Sequence, residues 1–239
     1  MRIILDAMGG DNAPQAPVIG ALQAAKDFGA QIILVGRGEE ILSVMRAQGY
    51  SDLPEGIEIA HADEVVDMHD DPANVIRKKK NSSMVIGLKM LADGLGDAFV
   101  SAGSTGALLT GATLIVKRVK GIRRAAMGPT MPNKAGGKTV ILDCGANAEC
   151  TPEFLLQFGL VGSIYAKKCR GVENPKIGLL NIGTEDTKGT PLQKEAYALL
   201  KDAGEKGIIN FVGNTEARDV PLGAVDVIVC DGFAGNVLL

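Results

Sequence analysis

Arg2-Ile-Ile-Leu-Asp-Ala-Met-Gly-Gly-Asp-Asn12 runs a short apolar segment into a loop of Gly, Asp and Asn, and a helix-like stretch opened by Pro14 follows. The same grammar returns at Ser101-Ala-Gly-Ser-Thr-Gly106, Asp143-Cys-Gly-Ala-Asn147, Asn181-Ile-Gly-Thr-Glu185 and Asp231-Gly-Phe-Ala-Gly-Asn236. Apolar runs that do not alternate are expected of strands covered by helices on both faces of a parallel sheet. Strands are predicted at 2–6, 31–35, 57–61, 98–101, 139–143, 176–181, 208–212 and 225–230, with helices between them, so the class is α/β. If all the strands share one sheet, their carboxyl ends form one rim, where open α/β folds bind ligands. Glycines there admit a ligand close to the backbone, and free N–H groups at helix starts favour an anion.

Helix punctuation supports this order. Pro14 opens a first helix with the stripe Val18, Leu22 and Ala25, and Gly29 closes it. Thr151-Pro152 opens another, with Phe154, Phe158, Val161 and Tyr165 expected along the buried face. Thr190-Pro-Leu-Gln193 reads as a capping box, followed by Leu192, Ala196, Leu199 and Ala203, with Gly204 as the stop. Residues 124–139, with Pro129, Pro132 and Gly136-Gly137, form the expected hinge or clamp. With no internal repeat or linker, residues 1–239 read as a single α/β domain. The last helix ends on Val237-Leu-Leu239 without a cap, so the natural protein is expected to continue.

Composition narrows the function. Twenty-five Lys and Arg against 28 Asp and Glu give a net charge of −3, which argues against general nucleic-acid binding. Thirty-one glycines, six Phe, three Tyr and no Trp suit tight βα turns better than an aromatic stacking surface. Cys144, Cys150, Cys169 and Cys230 show no metal-like spacing and read as free thiols of a reducing cytoplasm. Met1-Arg2 leads straight into a strand pattern, unlike a secretory leader, and no apolar run approaches the ~20 residues that span a bilayer. A soluble cytoplasmic protein is expected, with room for peripheral contact at a membrane.

Several enzyme motifs fail on inspection. Gly36-Arg-Gly38 follows a strand, but Ile41 occupies the third glycine position of a dinucleotide fingerprint. Gly136-Gly-Lys-Thr139 resembles the end of a P-loop, yet Pro132 stands at the first glycine and a strand follows. Ser104 sits on an elbow-like turn, but a serine hydrolase of that kind places its His after the nucleophile, and His61 and His69 both precede it. Ala102-Gly-Ser-Thr-Gly106 therefore reads better as an anion-binding turn. Asp70 and Asp71 suit a helix start beside His69.

Lys188, bounded by Gly183 and Gly189 on a strand-end loop, is the leading anion-clamp candidate, although a loop lysine in water would look the same. Asn147, Asn181 and Asn236 fall at comparable strand ends, where Asn also serves simply to make turns. Arg77-Lys-Lys-Lys80 and the run Lys117, Arg118, Lys120, Arg123 and Arg124 are either solvated faces or docking sites for an acidic partner. Arg77 could instead turn inward to hold a phosphate.

Taken jointly and in order, Ile4-Leu-Asp-Ala-Met-Gly-Gly-Asp11, Asn74-Val-Ile-Arg-Lys-Lys-Lys-Asn-Ser-Ser83, Ser101–Ala107, Leu179-Leu-Asn-Ile-Gly-Thr-Glu185 and Asp231–Asn236 resemble the bacterial phosphate acyltransferases of phospholipid synthesis. The resemblance implies transfer of a fatty acyl group from acyl–acyl carrier protein to inorganic phosphate, giving acyl phosphate and free carrier. It implies a three-layer αβα fold with a mainly parallel sheet, as in phosphotransacetylases and isocitrate dehydrogenases. It also implies a homodimer, a downstream membrane acyltransferase as user of the product, and relatives that run on past Leu239. No cofactor or metal is called for.

On this basis Lys188 and Asn236 are the expected catalytic residues. Gly9, Gly10, Asn12, Arg77, Ser104, Thr105, Gly106, Asn147 and Gly235 are expected to contact phosphate or the acyl donor. Lys117, Arg118, Arg123 and Arg124 are expected to dock the carrier. Ser104 departs from the family pattern, which often has Asn there. A phosphotransacetylase using acyl-coenzyme A and a non-catalytic phosphate- or acyl-binding regulator are the alternatives.

Overall fold

The computed structural model describes residues 1–239, which divide into two compact units, Met1–Arg118 and Val119–Leu239. Each unit holds its own sheet, so the strand-end loops lie on two rims and not on the single rim expected from sequence. Apolar runs read alike whichever sheet receives them, and nothing in their pattern marks the division.

In the first unit β1 (Arg2–Asp6), β2 (Gln31–Gly36), β3 (Ile57–His61) and β4 (Ala98–Val100) form a parallel sheet in the order β3-β2-β1-β4. Helices α1 (Gln15–Phe28) and α2 (Gly38–Ala47) cover one face through Val18, Leu22, Ile41 and Met45, which pack on Ile32 and Leu34. Ile33 and Val35 of the same strand point the other way, into a second cluster with Ile4 that receives Ile86 and Met90 of α4 (Ser83–Ala92). Both faces of β2 are therefore buried, which is why its run does not alternate. Helix α3 (Pro72–Lys78) and α5 (Thr105–Gly111) complete the α4 side, and a π-helical turn, Ala112–Val116, ends it. Gly29 caps α1 in the left-handed conformation at φ 62°, as its position predicts.

In the second unit β5 (Thr130–Pro132), β6 (Lys138–Leu142), β7 (Lys176–Asn181), β8 (Asn210–Glu216) and β9 (Val227–Val229) lie in the order β5-β6-β9-β7-β8. All neighbours are parallel except β5, which pairs antiparallel at the edge. Part of the expected clamp at 124–139 is thus an edge strand, the one place in a sheet where Pro132 is tolerated. Helices α6 (Pro152–Arg170) and α7 (Pro191–Glu205) cover one face through Leu155, Phe158 and Leu200, packed on Val140, Leu142, Leu179 and Val229. Truncating a ring as buried as Phe158 removes about 3–5 kcal/mol. Ile141, Ile228, Val220 and Val225 form the cluster on the opposite face, where α8 (Gly232–Leu238) adds Ala234 and Leu238.

Three local expectations are corrected. The buried face of α6 is Leu155, Phe158, Gly159, Gly162, Ser163 and Ala166, whereas Val161 and Tyr165 are 37% and 41% exposed. Helix α7 runs through Gly204 to Glu205, and the left-handed residue that follows is Gly207 at φ 70°. Strand β8 begins two residues later than expected and continues to Glu216. The capping pattern at the start of α7 does form: Gln193 Oε1 accepts from the Thr190 N–H at 3.2 Å and from the Thr190 hydroxyl. No helix is long and apolar enough to cross a membrane.

Candidate active site

In the first unit the chain builds outward from β1 to β2 and β3 on one side, then returns to place β4 on the other. The carboxyl ends of β1 and β4 thus flank the topological switch point, the usual ligand position in such sheets. A cleft of about 480 Å³ opens there, lined by Gly9, Gly10, Asn12, Ser101 and Ala102 among others.

Asp6, only 2% exposed, organises its floor. Its Oδ1 accepts from the Met8 N–H at 3.1 Å and its Oδ2 from the Ser101 hydroxyl at 2.7 Å. Ser101 Oγ in turn accepts from the Gly103 N–H at 3.1 Å. A Cβ on Gly9 would lie 2.7 Å from Asp6 Oδ2 and 2.9 Å from the Gly103 nitrogen, so only glycine lets these loops close on each other. Gly10 adopts φ 103°, open to glycine alone without strain.

Ser104, Thr105, Gly106 and Arg77, expected to contact phosphate or the acyl donor, lie on α5 and α3 and at the α5 cap. The Ser104 hydroxyl is buried and caps α5, accepting from the Ala107 N–H at 3.4 Å. Gly106 allows close packing of Pro72, whose Cγ would lie 3.0 Å from an added Cβ. Thr105 and Arg77 are exposed, on α5 and α3 respectively.

In the second unit the loop after β6 is built around Asp143, which is fully buried. Its Oδ1 accepts from the N–H groups of Met127 at 2.8 Å and Cys144 at 2.7 Å. Its Oδ2 accepts from the Asn147 N–H at 2.6 Å and Asn147 Nδ2 at 2.9 Å. Asn147 Nδ2 also donates to the Ala125 carbonyl at 2.8 Å, so this amide holds the loop's own shape. Helix α8 seats against the same aspartate: a Cβ on Gly235 would fall 1.9 Å from the Asp143 carbonyl oxygen. Asp231 Oδ1 caps α8 through the Ala234 N–H at 2.8 Å. Asn236, one residue beyond Gly235, is exposed, with its Oδ1 3.8 Å from the Cys144 thiol.

Three thiols surround this loop and none is activated. Burial raises Cys144, pushes Cys150 up to about 11, and drives Cys230 higher still; the Asp143 carboxylate adds to each shift. Cys230 donates to the Asp143 carbonyl at 3.3 Å.

Lys188 lies on the loop between β7 and α7, its side chain about half exposed. Its nearest anion is Glu185, with Nζ 3.9 Å from Oε1. The loop beneath is fixed more firmly than the side chain. Asn181 Nδ2 donates to the Lys188 carbonyl at 3.2 Å, and Asn214 Nδ2 donates to the Glu185 carbonyl at 2.7 Å. Sequence reading misses Asn214, which is buried within β8 and only 7% exposed. Its Oδ1 is buried without a partner.

The expected docking cations divide between the units. Lys117, at φ 71°, and Arg118 end the first and are exposed. In the second, the Arg123 N–H donates to Gln157 Oε1 at 2.8 Å, and the Arg124 guanidinium lies 5.6 Å above the Phe154 ring. Both arginines remain exposed.

Comparison with known proteins places this arrangement. Residues 1–239 match the family model described as fatty acid synthesis protein. The phosphate acyltransferases of Bacillus thuringiensis (strain Al Hakam) and Bacillus cereus (strain B4264) are 48% and 49% identical over 240 residues, covering all of this chain and 70% of each relative. Among solved structures, a phosphotransacetylase from Streptococcus pyogenes superposes with TM-score 0.71 at 22% identity, covering 99% of this chain and 79% of its own. The EutD phosphotransacetylase from Staphylococcus aureus gives 0.70 at 18% identity, with the same coverage. These structures share the fold, three-layer α/β with mainly parallel sheets. With glycine-rich loops closing on strand-end aspartates and a family match along its whole length, the chain belongs to the phosphate acyltransferases, an enzyme family of fatty acid synthesis.

Proposed function

We propose that the enzyme transfers a fatty acyl group from acyl–acyl carrier protein to inorganic phosphate, with phosphate itself as nucleophile. A phosphate oxygen attacks the thioester carbon, the carbonyl oxygen takes up negative charge, and the C–S bond then breaks to leave acyl phosphate and the carrier thiolate. Thiolate is a good leaving group, so the chemistry needs positioning and charge stabilisation more than a strong acid.

One observation carries this reading: Lys188 presents an ammonium group with only a 3.9 Å contact to Glu185, while the covalent nucleophiles are unsuitable. The Ser104 hydroxyl is buried in a helix cap, and burial holds Cys144, Cys150 and Cys230 as thiols. Lys188 binds phosphate and Asn236 faces the developing oxyanion. The exposed Lys117, Arg118, Arg123 and Arg124 meet the acidic carrier. The product is consumed by a membrane acyltransferase, and the enzyme works in the cytoplasm as a homodimer with peripheral access to the membrane.

The test supplies long-chain acyl–carrier protein and phosphate and traps acyl phosphate with hydroxylamine. Lys188→Ala should lower turnover by about 100-fold or more with an unchanged circular dichroism spectrum. Near-normal turnover of that variant at saturating phosphate removes Lys188 from the mechanism, and a stable acylated serine or cysteine refutes direct attack. The phosphotransacetylase neighbours make acyl-coenzyme A the rival donor. Equal or better turnover with acyl-coenzyme A selects that rival.

A further inference from the structure

We infer that the cleft at the β1–β4 switch point binds the neutral, amide-bearing thioester arm of the acyl donor and does not bind phosphate. The inference rests on the acyl-transfer reading above and assigns a ligand class to a cleft which that reading leaves unassigned.

Charge is the first argument. Asp6 and Asp11 line the cleft, and no Lys, Arg or His does. A dianion placed there would meet two carboxylates with no compensating cation.

The backbone gives the second argument. An anion site at a strand–helix turn depends on free N–H groups. Here Pro14 and Pro17 at the start of α1 have none, and the Ala16 N–H is bonded to the Asn12 carbonyl at 2.9 Å. The Ala13 N–H goes to the Gly10 carbonyl at 3.2 Å. The N–H groups of Met8 and Gly103 are held by Asp6 and Ser101. At each of these positions the backbone N–H is absent or already engaged.

What the cleft does offer is apolar wall and hydrogen-bond acceptors. Leu5, Ala13, Ala16, Pro17 and Val100 supply apolar surface, and Val100 at the end of β4 is 48% exposed. Asp11 and the Asn12 side-chain oxygen can accept from amide N–H groups, which a pantetheine-type arm carries and a phosphate ester does not. A volume of about 480 Å³ falls within the ~300–1,000 Å³ of small-molecule sites. The phosphodiester that joins such an arm to its carrier would remain outside.

The probes are a non-hydrolysable S-alkyl pantetheine thioether and inorganic phosphate, each titrated into the isotope-labelled chain and followed by amide NMR. The thioether should shift the Gly9, Gly10 and Ala102 signals, and saturating phosphate should leave them in place. Ala16→Phe, at an exposed position, should fill the cleft and weaken the thioether by about tenfold or more. Val100→Phe narrows the other wall and should act in the same direction. Asp11→Asn should leave phosphate affinity unchanged.

The inference fails if phosphate moves the Gly9 and Gly10 signals, or if Asp11→Asn tightens phosphate several-fold. It fails equally if the thioether does not shift these signals, or binds both filled variants normally. Acyl phosphate formed by an enzyme whose cleft ignores the thioether would sink this assignment alone. Failure to form acyl phosphate from either donor would sink the acyl-transfer reading instead.

Discussion

Replacing Asp143 with Asn changes one atom in a fully buried side chain, and the structure sets the cost. The carboxylate accepts four hydrogen bonds, two on each oxygen. However an amide is turned, its NH2 faces two donors that it cannot satisfy. Turned toward Met127 and Cys144, it orphans two backbone N–H groups. Turned toward Asn147 it does less harm, because Asn147 Nδ2 keeps its bond to the Ala125 carbonyl and only the Asn147 N–H is stranded. A stranded buried donor costs about 1–3 kcal/mol, and a second lost bond to a charged acceptor adds about 1.5–3 kcal/mol. Removing a buried charge offsets part of this, but four N–H groups already stand in for water around the carboxylate, so little desolvation remains to be relieved. The net loss should be about 3 kcal/mol, or roughly 10 °C in the melting temperature of the 119–239 unit. Urea unfolding followed by far-ultraviolet circular dichroism measures it. A double-mutant cycle with Asn147→Ala should show coupling of at least about 1 kcal/mol. A loss below about 1 kcal/mol, or additivity in the cycle, would mean that Asp143 does not organise the loop.

Asn214→Ala removes the support of the Glu185 carbonyl, so amide exchange across 182–188 should speed up and the KM for phosphate should rise several-fold while that for the acyl donor holds; an unchanged KM would separate Asn214 from the lysine loop. With Cys150 near 11 against an ordinary 9.0, its alkylation at pH 8 should run roughly 100-fold slower than that of an unperturbed thiol. Mass spectrometry should accordingly find exposed Cys169 modified first, and early labelling of Cys150 would contradict the burial. Asp70 is held below its ordinary 3.8, first by the Lys79 hydrogen bond and then by the Asp67 N–H. Because the folded value is the lower one, the stabilisation is present above 3.8 and disappears as pH falls through the folded midpoint. Carboxyl NMR should place that midpoint below 3.8, and Lys79→Ala should move it upward.

Much of the strand map is legible in the sequence because polar, Gly-bearing loops bound the apolar runs, and β1, β3 and β7 end where the pattern ends. The buried face of α6 is not legible, for a packing reason. Gly159 and Gly162 pack so closely on α7 and the sheet that added Cβ atoms would lie 2.8 Å from Leu200 of α7 and 2.5 Å from Val227 of β9. Hydrophobic periodicity counts large side chains, and here close approach puts small ones inside. Strand β5 escapes notice because three residues bounded by prolines carry no strand pattern. Asp143 and Asn214 are invisible for a third reason: their importance lies in burial and in partners brought from distant positions, the Met127 N–H that donates to Asp143 and the Glu185 carbonyl that accepts from Asn214.

The glycine-rich loops suggest open backbone amides waiting for an anion, and the side chains at the strand ends show why several are not open. Asp6 takes the Met8 N–H, Ser101 that of Gly103, and Asp143 those of Met127, Cys144 and Asn147. Asn181 Oδ1 takes the Ile182 N–H at 2.8 Å, and Asp231 that of Ala234. A short polar side chain at the end of an apolar strand thus takes up donors of the turn that follows it, which fixes the shape of the loop. The proposed phosphate contact is accordingly a side chain. Of the five strand-end loops quoted from the sequence, only the one after β7 is continued by a lysine before the next helix, at Lys188. Loops fixed by such side chains can still shape a cleft for a neutral ligand, which is the role inferred above for the β1–β4 cleft.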